Sequence, residues 1–268
     1  LVNINWQTVA EFLNVLEQRG VGVNFGTLVG HSTVRRALIG DASRDLTSKE
    51  LGVFKNIVKE AIRDGAFGLS TGLGYAHSKQ VPYYEIKELA SAVALKKGIY
   101  STHLRDEKDD ILTAINETIR LNRDTGVKTI ISHLRPIIGF EKEFQKGLDA
   151  LHQKDVDVNV RFDGYPSDSS LIAIYTLLPA WVKTGGLAVM LKNILTASHR
   201  NRILDELPEI VGKDILIARA PEAEYLSGKT LGEFAKSQEL DLKSGLLKLM
   251  ELTKMRAVVF YKNINLDM

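Results

Sequence analysis

The sequence contains no cysteine, so disulfide bonds, thiolate nucleophiles and thiolate metal ligands are excluded within it. It also has no excess of one charge, since 35 Lys and Arg balance 33 Asp and Glu and leave a formal net charge of +2. No apolar run approaches the roughly 18 residues of a membrane-spanning helix, and a basic-then-apolar leader is missing. We therefore expect a soluble, cytoplasmic protein with neither a nucleic-acid nor a membrane partner.

What the chain does have is a regular alternation of strand-like and helix-period segments. Several of the strand-like runs are continuously apolar, which is typical of strands buried on both faces of a parallel sheet. Repeated βα units predict either a doubly wound sheet or a barrel. The predicted strands cover residues 23–30, 66–71, 98–104, 128–134, 156–165, 214–218 and 256–261.

The helix-period segments carry recognisable start and stop signals. One begins with a capping box at Thr47 and Glu50 and ends at Gly65, and another ends at Gly126. Residues 171–207 break the βα rhythm and are predicted to form a helical excursion. We predict a single catalytic-barrel domain over residues 1–268, interrupted by this excursion.

Two histidines lie at the ends of consecutive predicted strands in the same local sequence, His-Leu-Arg. His103 and His133 are 30 residues apart, which is about one βα unit. In a barrel, functional groups gather where the strands end, and neighbouring strands lie about 4.8 Å apart. The pair is therefore a candidate metal site, although spacing alone also permits two strand-end histidines that hydrogen-bond to loops.

Other strand-end residues have open roles. His31 is predicted to be a core or supporting histidine, and Asp163 could orient a histidine, act in proton transfer or cap the turn at Gly164. Arg105 and Arg135 each follow a candidate histidine by two residues, where a guanidinium could hold a substrate carboxylate or form an ordinary salt bridge. We assign the remaining histidines to the surface: His77, His152 and His199.

Taken together, the motifs resemble those of the N-acyl-D-amino-acid deacylases, or D-aminoacylases, of the amidohydrolase superfamily. They occur in the order of that family across nearly the whole chain: "NFGTLVGHSTVRR", "GAFGLSTGLGYA", "GIYSTHLRDE", "TIISHLRP", "DGYP", "TLLPAW" and "GKTLGEFAKSQELD". The resemblance implies an α/β fold of the (β/α)8 TIM-barrel type. It also implies an enzyme that hydrolyses the amide bond of an N-acyl-D-amino acid and uses one or two divalent metal ions, usually zinc.

The resemblance also implies roles for individual residues. His103 and His133 match the two strand-end histidines that bind metal in the family, and four residues are candidates for contact with the substrate: Tyr75, Arg105, Arg135 and Tyr165. Arg135 stands where the family commonly has lysine, and Ser167 replaces the second tyrosine of its "YPY" motif.

Three elements of the family pattern are not found in this sequence: a His-x-His on the first strand, a cysteine ligand, and a Ser-Asp-Gly whose aspartate is the general base. We expect this aspartate beyond Met268, so the chain corresponds to the central part of the barrel, without its first strands and last strand, and is inactive alone. Two alternatives stay open. One is another amidohydrolase, of the dihydroorotase or cyclic-imide type, and the other is a non-catalytic βα scaffold that binds a ligand or partner.

Overall fold

A computed structural model of the chain describes residues 6–40, 42, 44–183 and 185–268. The chain forms two compact units, of which the first comprises Leu1–Arg135 and Lys142–Gly164 and the second Pro136–Glu141 and Tyr165–Met268. The single-domain organisation stays a prediction. No helix within the described ranges combines the length and apolar character needed to cross a membrane.

The first unit is built on a parallel sheet, as the continuously apolar runs predict. Its strands pair in sequence order, and every pairing is parallel. All carboxyl ends therefore lie at one edge of the sheet. The strands are β1 (Val29–Gly30), β2 (Gly68–Gly72), β3 (Ile99–His103), β4 (Lys128–Ile131) and β5 (Val160–Phe162).

Helices connect these strands in the expected βα alternation. The capping box predicted at Thr47 and Glu50 is present at the start of α3, and Gly126 ends α5 with a φ of 67°, a left-handed conformation that glycine adopts without strain. The helices of this part of the chain are α1 (Val9–Arg19), α2 (His31–Ile39), α3 (Ser48–Arg63), α4 (Tyr83–Leu95), α5 (Ile111–Thr125) and α6 (Glu141–His152).

Apolar helix faces cover the sheet and form its core. Phe54 and Val58 of α3 are fully buried in a cluster that includes Leu69 of β2 and Tyr100 of β3. Ile115 of α5 is buried in a second cluster, which includes residues of β4, β5 and α6. At about 25 cal/mol per Å² of apolar surface, this burial is the main force that holds the strand ends in place.

The second unit differs from the predicted βα rhythm. Its three strands are β6 (Ser169–Ala173), β7 (Ile215–Arg219) and β8 (Val258–Lys262), and they pair antiparallel in the order β6-β8-β7. Its α-helices are α7 (Gly186–Leu195), α8 (Ala197–Glu206), α9 (Leu231–Ser237) and α10 (Leu242–Leu252). The excursion predicted at 171–207 thus begins within a strand and becomes helical afterwards.

Several of the strand predictions need correction in length or direction. The predicted strand at 23–30 is reduced to the two residues of β1, and Val23 and Phe25 are exposed. The runs at 214–218 and 256–261 do form strands, β7 and β8, but they are antiparallel to each other. An apolar run reports that a strand is buried, whereas its direction depends on the partner with which it pairs, which periodicity does not reveal.

Candidate functional site

The carboxyl edge of the parallel sheet brings the two predicted histidines together. His103 is the last residue of β3, and His133 lies two residues beyond β4, its neighbour in the sheet. The Nδ1 atom of His103 is 2.9 Å from Nε2 of His133, and the ring centroids are 4.6 Å apart. Thr102 pairs with Ile131, so His133 lies one residue beyond the position level with His103. The left-handed backbone at His133, just after β4, therefore accompanies the approach of its ring to His103.

Glu107 is a member of this site that the sequence reasoning missed. It follows His103 by four residues, in the loop between β3 and α5, and its side chain is 13% exposed. Its Oε1 atom is 3.1 Å from Nδ1 of His133, and its Oε2 atom is 3.7 Å from Nε2 of His103. His103, Glu107 and His133 each offer one potential metal ligand atom, and these atoms lie within 4.8 Å of one another.

The backbone at His133 has an unusual conformation that Asp163 supports. His133 has a φ of 46°, in the left-handed region that non-glycine residues occupy at some cost. Its N–H donates to Oδ1 of Asp163 at 2.5 Å, and the N–H of Leu134 donates to the carbonyl oxygen of Asp163 at 2.8 Å. Asp163, at the end of β5, thereby orients the turn that carries the second histidine.

Burial determines the protonation of the His103 imidazole. It lowers the pKa of His103 to about 4, since the nearby charge of Glu107 only partly opposes the cost of desolvating a cation. His103 is therefore neutral at pH 7 and has a lone pair available for a metal ion. The 3.7 Å approach of Glu107 to His103 is accordingly a contact with a neutral ring, and we do not count it as an ion pair.

Glu107 is ionised because its hydrogen-bond and charge partners outweigh the effect of burial. Burial alone raises the pKa of its carboxyl, but the hydrogen bond from His133 and the nearby positive charge of Arg135 outweigh burial and hold the pKa below its usual range. The NH2 atom of Arg135 donates to Oε2 of Glu107 at 2.7 Å. The site thus contains a carboxylate with a guanidinium as its counter-ion.

Tyr75 and Gly74 form one wall around His103. The Tyr75 ring stacks on the His103 imidazole with centroids 4.9 Å apart and planes inclined by 17°. A Cβ atom at Gly74 would lie 2.5 Å from Nε2 of His103, so the ring fits because residue 74 has no side chain. The "STGLGY" motif therefore supplies both a stacking partner and the space for the first histidine.

The other three residues predicted to contact the substrate differ in their hydrogen-bond partners and burial. Arg105 binds both carboxylate oxygens of Glu117 through Nε and NH2 at 3.0 and 2.9 Å, and its NH1 donates to the carbonyl oxygen of Lys79. Arg135 is 6% exposed and lies beside Glu107. Tyr165 is half-buried and belongs to the second unit.

The remaining histidines agree with their predicted positions. His77, His152 and His199 are exposed. His31 is fully buried, and its Nε2 atom is 2.8 Å from Oε1 of the equally buried Glu85. It is a core histidine with a carboxylate partner, as expected.

The donor set fits a divalent metal ion. A tetrahedral ion with bonds of 2.0–2.1 Å to nitrogen places two ligand atoms about 3.3 Å apart. The 2.9 Å between the inner nitrogens of His103 and His133 is close to this separation. Imidazole nitrogen and carboxylate oxygen are donors that zinc and similar ions accept.

The alternating parallel strands and helices, with this site at their carboxyl edge, define a parallel α/β protein with a candidate metal centre. No family model matches the sequence. The D-aminoacylase of Alcaligenes xylosoxydans xylosoxydans is 33% identical over 165 residues, which is 60% of this chain and 34% of that protein. The chain thus spans about a third of the length of this curated relative.

Solved structures extend the similarity to nearly the whole chain. One is a D-aminoacylase structure described as defining a novel subset of amidohydrolases. The match covers 96% of this chain and 47% of the D-aminoacylase chain, with a TM-score of 0.70 and 25% identity. An N-acyl-D-glutamate deacylase from Bordetella bronchiseptica, complexed with zinc and a phosphonate inhibitor, matches 97% of this chain and 48% of its own, with a TM-score of 0.73 and 22% identity. The predicted amidohydrolase fold class is confirmed, and the chain resembles the D-aminoacylases, as its motifs predict.

Proposed function

We propose that this chain carries the metal-binding part of a hydrolase that removes the acyl group from an N-acyl-D-amino acid. The observation that carries the proposal is the pair of imidazoles at the carboxyl edge of the sheet, with inner nitrogens 2.9 Å apart and His103 neutral at pH 7. The reaction consumes water, breaks the linear amide bond and yields a carboxylate and a free D-amino acid. The relatives with this activity support the substrate class.

On this proposal, His103 and His133 hold one zinc ion, and a second divalent ion is compatible with the family. When bound, zinc acts as a Lewis acid that polarises the amide carbonyl. The protein contributes the orientation of the two imidazoles. Asp163 fixes the turn at His133, and Gly74 leaves room for the ring of His103.

We propose that Tyr75, Arg105, Arg135 and Tyr165 contact the substrate. Tyr75 already packs against His103, so its ring lies beside the site where the amide would bind. Arg105 and Arg135 each bind a glutamate carboxylate in this structure. A substrate carboxylate would therefore bind either guanidinium by sharing it with, or displacing, Glu117 or Glu107.

We further propose that the 268-residue chain binds metal without turning over substrate. The family resemblance assigns general-base catalysis to an aspartate of a Ser-Asp-Gly motif, and this motif is not in the sequence. The general base would remove a proton from the attacking water, a step that contributes about 10²–10⁴-fold to such reactions. A cytoplasmic location, with which the cysteine-free composition is compatible, is part of the same proposal.

Metal binding is tested directly on the chain. After removal of metal with a chelator, zinc and cobalt are titrated while bound metal is measured by mass spectrometry and the visible spectrum of cobalt is recorded. We expect His103→Gln and His133→Gln to lose binding, while His152→Gln, an exposed histidine at the end of α6, retains it. Wild-type affinity in both site variants would contradict the proposal.

Activity is tested on the longer protein read from the coding sequence on both sides of these residues. We expect release of D-amino acid from N-acetyl-D-glutamate or from a neutral N-acetyl-D-amino acid, and much slower release from the matched L-enantiomers. Loss of turnover in His103→Gln and His133→Gln should accompany loss of metal. Metal binding without amide hydrolysis would favour the non-catalytic scaffold, and hydrolysis of cyclic imides only would favour the other amidohydrolase type.

A further inference from the structure

The two nitrogens of the His133 ring have different partners on opposite sides. Nε2 is 2.9 Å from Nδ1 of His103, and Nδ1 is 3.1 Å from Oε1 of Glu107. The other carboxylate oxygen of Glu107 accepts from NH2 of Arg135 at 2.7 Å. A continuous series of polar contacts therefore runs from Arg135 through Glu107 and His133 to His103.

These contacts decide which nitrogen of His133 carries the proton. A carboxylate only accepts hydrogen bonds, so Nδ1 of a neutral His133 must carry the proton that it shares with Glu107. The competing donor to Nδ1, NH1 of Arg135, is farther away, at 3.5 Å. With the proton on Nδ1, Nε2 of His133 has the lone pair and accepts a hydrogen bond from Nδ1–H of His103. A metal ion bound on this side would take the place of the His103 proton, which would be released.

Glu107 is itself held in place. Its side chain is 13% exposed and that of Arg135 is 6% exposed. A guanidinium stays protonated at every physiological pH and presents its donors in a rigid plane. Asp106 stabilises the loop that carries Glu107, because its Oδ1 accepts from the N–H groups of Lys108 and Asp110 at 2.8 and 3.3 Å.

We propose that Glu107, anchored by Arg135, is a positioning residue that keeps His133 in the tautomer able to bind metal through Nε2. The inference rests on the proposed metal-dependent function and assigns Arg135 a supporting role in it besides any contact with substrate. A ligating histidine commonly donates its other N–H to a carboxylate, and this outer partner orients the ring and fixes its tautomer.

The rival interpretation makes Glu107 a third ligand of the same ion. In that case the ion would be bound by Nδ1 of His133, on the side of the ring that faces Glu107. Nε2 of His133, which lies close to His103, would then not bind the ion. The 2.9 Å hydrogen bond between the inner nitrogens, with Nδ1–H of His133 given to Glu107, places the free lone pair of His133 on Nε2, on the other side of the ring. A glutamine at 107 separates the two roles, because its amide oxygen still accepts from Nδ1–H but is a poor metal ligand.

The first experiment needs no metal. Long-range proton–nitrogen correlation spectra of the chain labelled with nitrogen-15 histidine report the tautomer of each ring, and His133→Gln assigns the signal. We expect Nδ1–H at His133 in the wild type and in Glu107→Gln, and a larger share of Nε2–H in Glu107→Ala. Glu88→Ala, which removes a glutamate that pairs with Lys55 on the surface, should leave the spectrum of His133 unchanged.

The second experiment measures zinc affinity of the same variants by competition with a chelator. We expect Glu107→Ala to bind about 10- to 100-fold more weakly than the wild type, the usual effect of removing such a partner, and Glu107→Gln to recover most of the loss. If Glu107→Ala does not fold, the tautomer and affinity of Glu107→Gln still decide the matter.

The inference is overturned by Nε2–H at His133 in the wild type, by unchanged affinity in Glu107→Ala, or by a loss in Glu107→Gln as large as in His133→Gln. The last result would identify Glu107 as a ligand. Failure of the proposed function gives a different pattern, in which the wild type binds no metal or the histidine variants bind it as well as the wild type.

Discussion

The His103 ring occupies the space that a side chain at Gly74 would fill, at the carboxyl end of the parallel sheet. A Cβ atom at residue 74 would lie 2.5 Å from Nε2 and 2.9 Å from Cδ2 of the His103 ring, and also 2.9 Å from the carbonyl oxygen of Leu104. Real Cβ atoms do not approach other atoms this closely, and the backbone oxygen has little freedom to move. The position of the first histidine therefore depends on the missing side chain at 74.

We expect Gly74→Ala to displace the His103 ring and weaken zinc binding about 10-fold or more, as disturbance of a ligand's surroundings commonly does. Overpacking should also destabilise the fold by about 1–3 kcal/mol. Zinc titration and urea unfolding of the same samples give both quantities.

Gly52→Ala is the matched control. Gly52 lies within α3, where a Cβ atom would have no neighbour within 4 Å. Because alanine is the better helix former, we expect this variant to bind zinc normally and to gain about 0.5–1 kcal/mol in stability. Equal zinc affinity in the two alanine variants would refute the dependence of His103 on Gly74.

Asp163 should be required for the geometry at His133. Removing its carboxylate in Asp163→Ala takes away the acceptor of the His133 N–H, a hydrogen bond that contributes about 0.5–1.5 kcal/mol. The left-handed backbone at His133 would then lose its support. We expect lower stability together with weaker zinc binding, measured by urea unfolding and metal competition.

Asp163→Asn tests whether the acceptor or the charge matters. Asparagine keeps an oxygen at the same position and can still accept from the His133 N–H. We expect it to retain most of the stability and zinc affinity of the wild type. If Asp163→Asn were as impaired as Asp163→Ala, the carboxylate charge would matter more than the hydrogen bond.

The approach of His103 to His133 could be predicted from the sequence, because it follows from local information. The repeated His-Leu-Arg, at an interval of one βα unit, places both residues at the ends of neighbouring parallel strands. The register is offset by one residue from a shared phase, and the left-handed backbone at His133 is not predictable from the sequence. The buried faces of α3 and α5 follow from helical periodicity in the same way. Such features depend on residues close in the chain.

Glu107 could not be predicted by that route. Residues 106–110 carry four acidic side chains and resemble the acidic first turn of a helix. In the structure α5 begins only at Ile111, and Asp106 accepts from backbone N–H groups of the preceding loop. A glutamate at the start of a helix and a glutamate that contacts His133 are the same residue type. Only the conformation of the loop shows which of the two roles Glu107 has.

The sequence left the role of Asp163 open among orienting a histidine, proton transfer and capping the turn at Gly164, and it did not reveal the direction of β8, for a related reason. Asp163 orients His133 because the backbone there has a positive φ, which the residue type does not encode. The strand β8 pairs antiparallel with both β6 and β7, and its apolar run would look the same in a parallel sheet. Long-range pairing and local strain become visible only in three dimensions.

The buried cluster around Glu85 should be important for folding. Its Oε1 atom is 2.8 Å from Nε2 of His31 and accepts from Nε of Arg35 at 3.1 Å, and the side chains of Glu85 and His31 are fully buried. Removing the carboxylate leaves Arg35 buried without its counter-ion. We expect Glu85→Ala to cost about 3–5 kcal/mol in the free energy of unfolding.

The control for Glu85→Ala lies one turn away on the same helix. Glu88 pairs with Lys55 at the surface, and exposed pairs contribute only about 0–1 kcal/mol. Urea unfolding should therefore show a large effect at 85 and a small one at 88. Equal effects would mean that helix α4, rather than the buried carboxylate, accounts for the loss.

The capping box of α3 should make stability depend on pH. Hydrogen bonds from Arg44 and from the backbone N–H and hydroxyl of Thr47 lower the pKa of Glu50 from its ordinary value of 4.5 to about 2. Because the folded pKa is depressed, the stabilising contribution is fully present above about pH 4.5 and is lost as the pH falls toward 2.

The variant Glu50→Gln removes this titration. Subtracting its unfolding free energy from that of the wild type cancels the contributions of the other carboxylates. We expect the difference in unfolding free energy, measured by urea denaturation from pH 7 to pH 2, to be largest at neutral pH and to shrink through this range. Added salt should reduce it as well, since the Arg44–Glu50 pair is partly exposed. A difference that stays constant between pH 7 and pH 2 would show that the charge of Glu50 does not stabilise the start of α3.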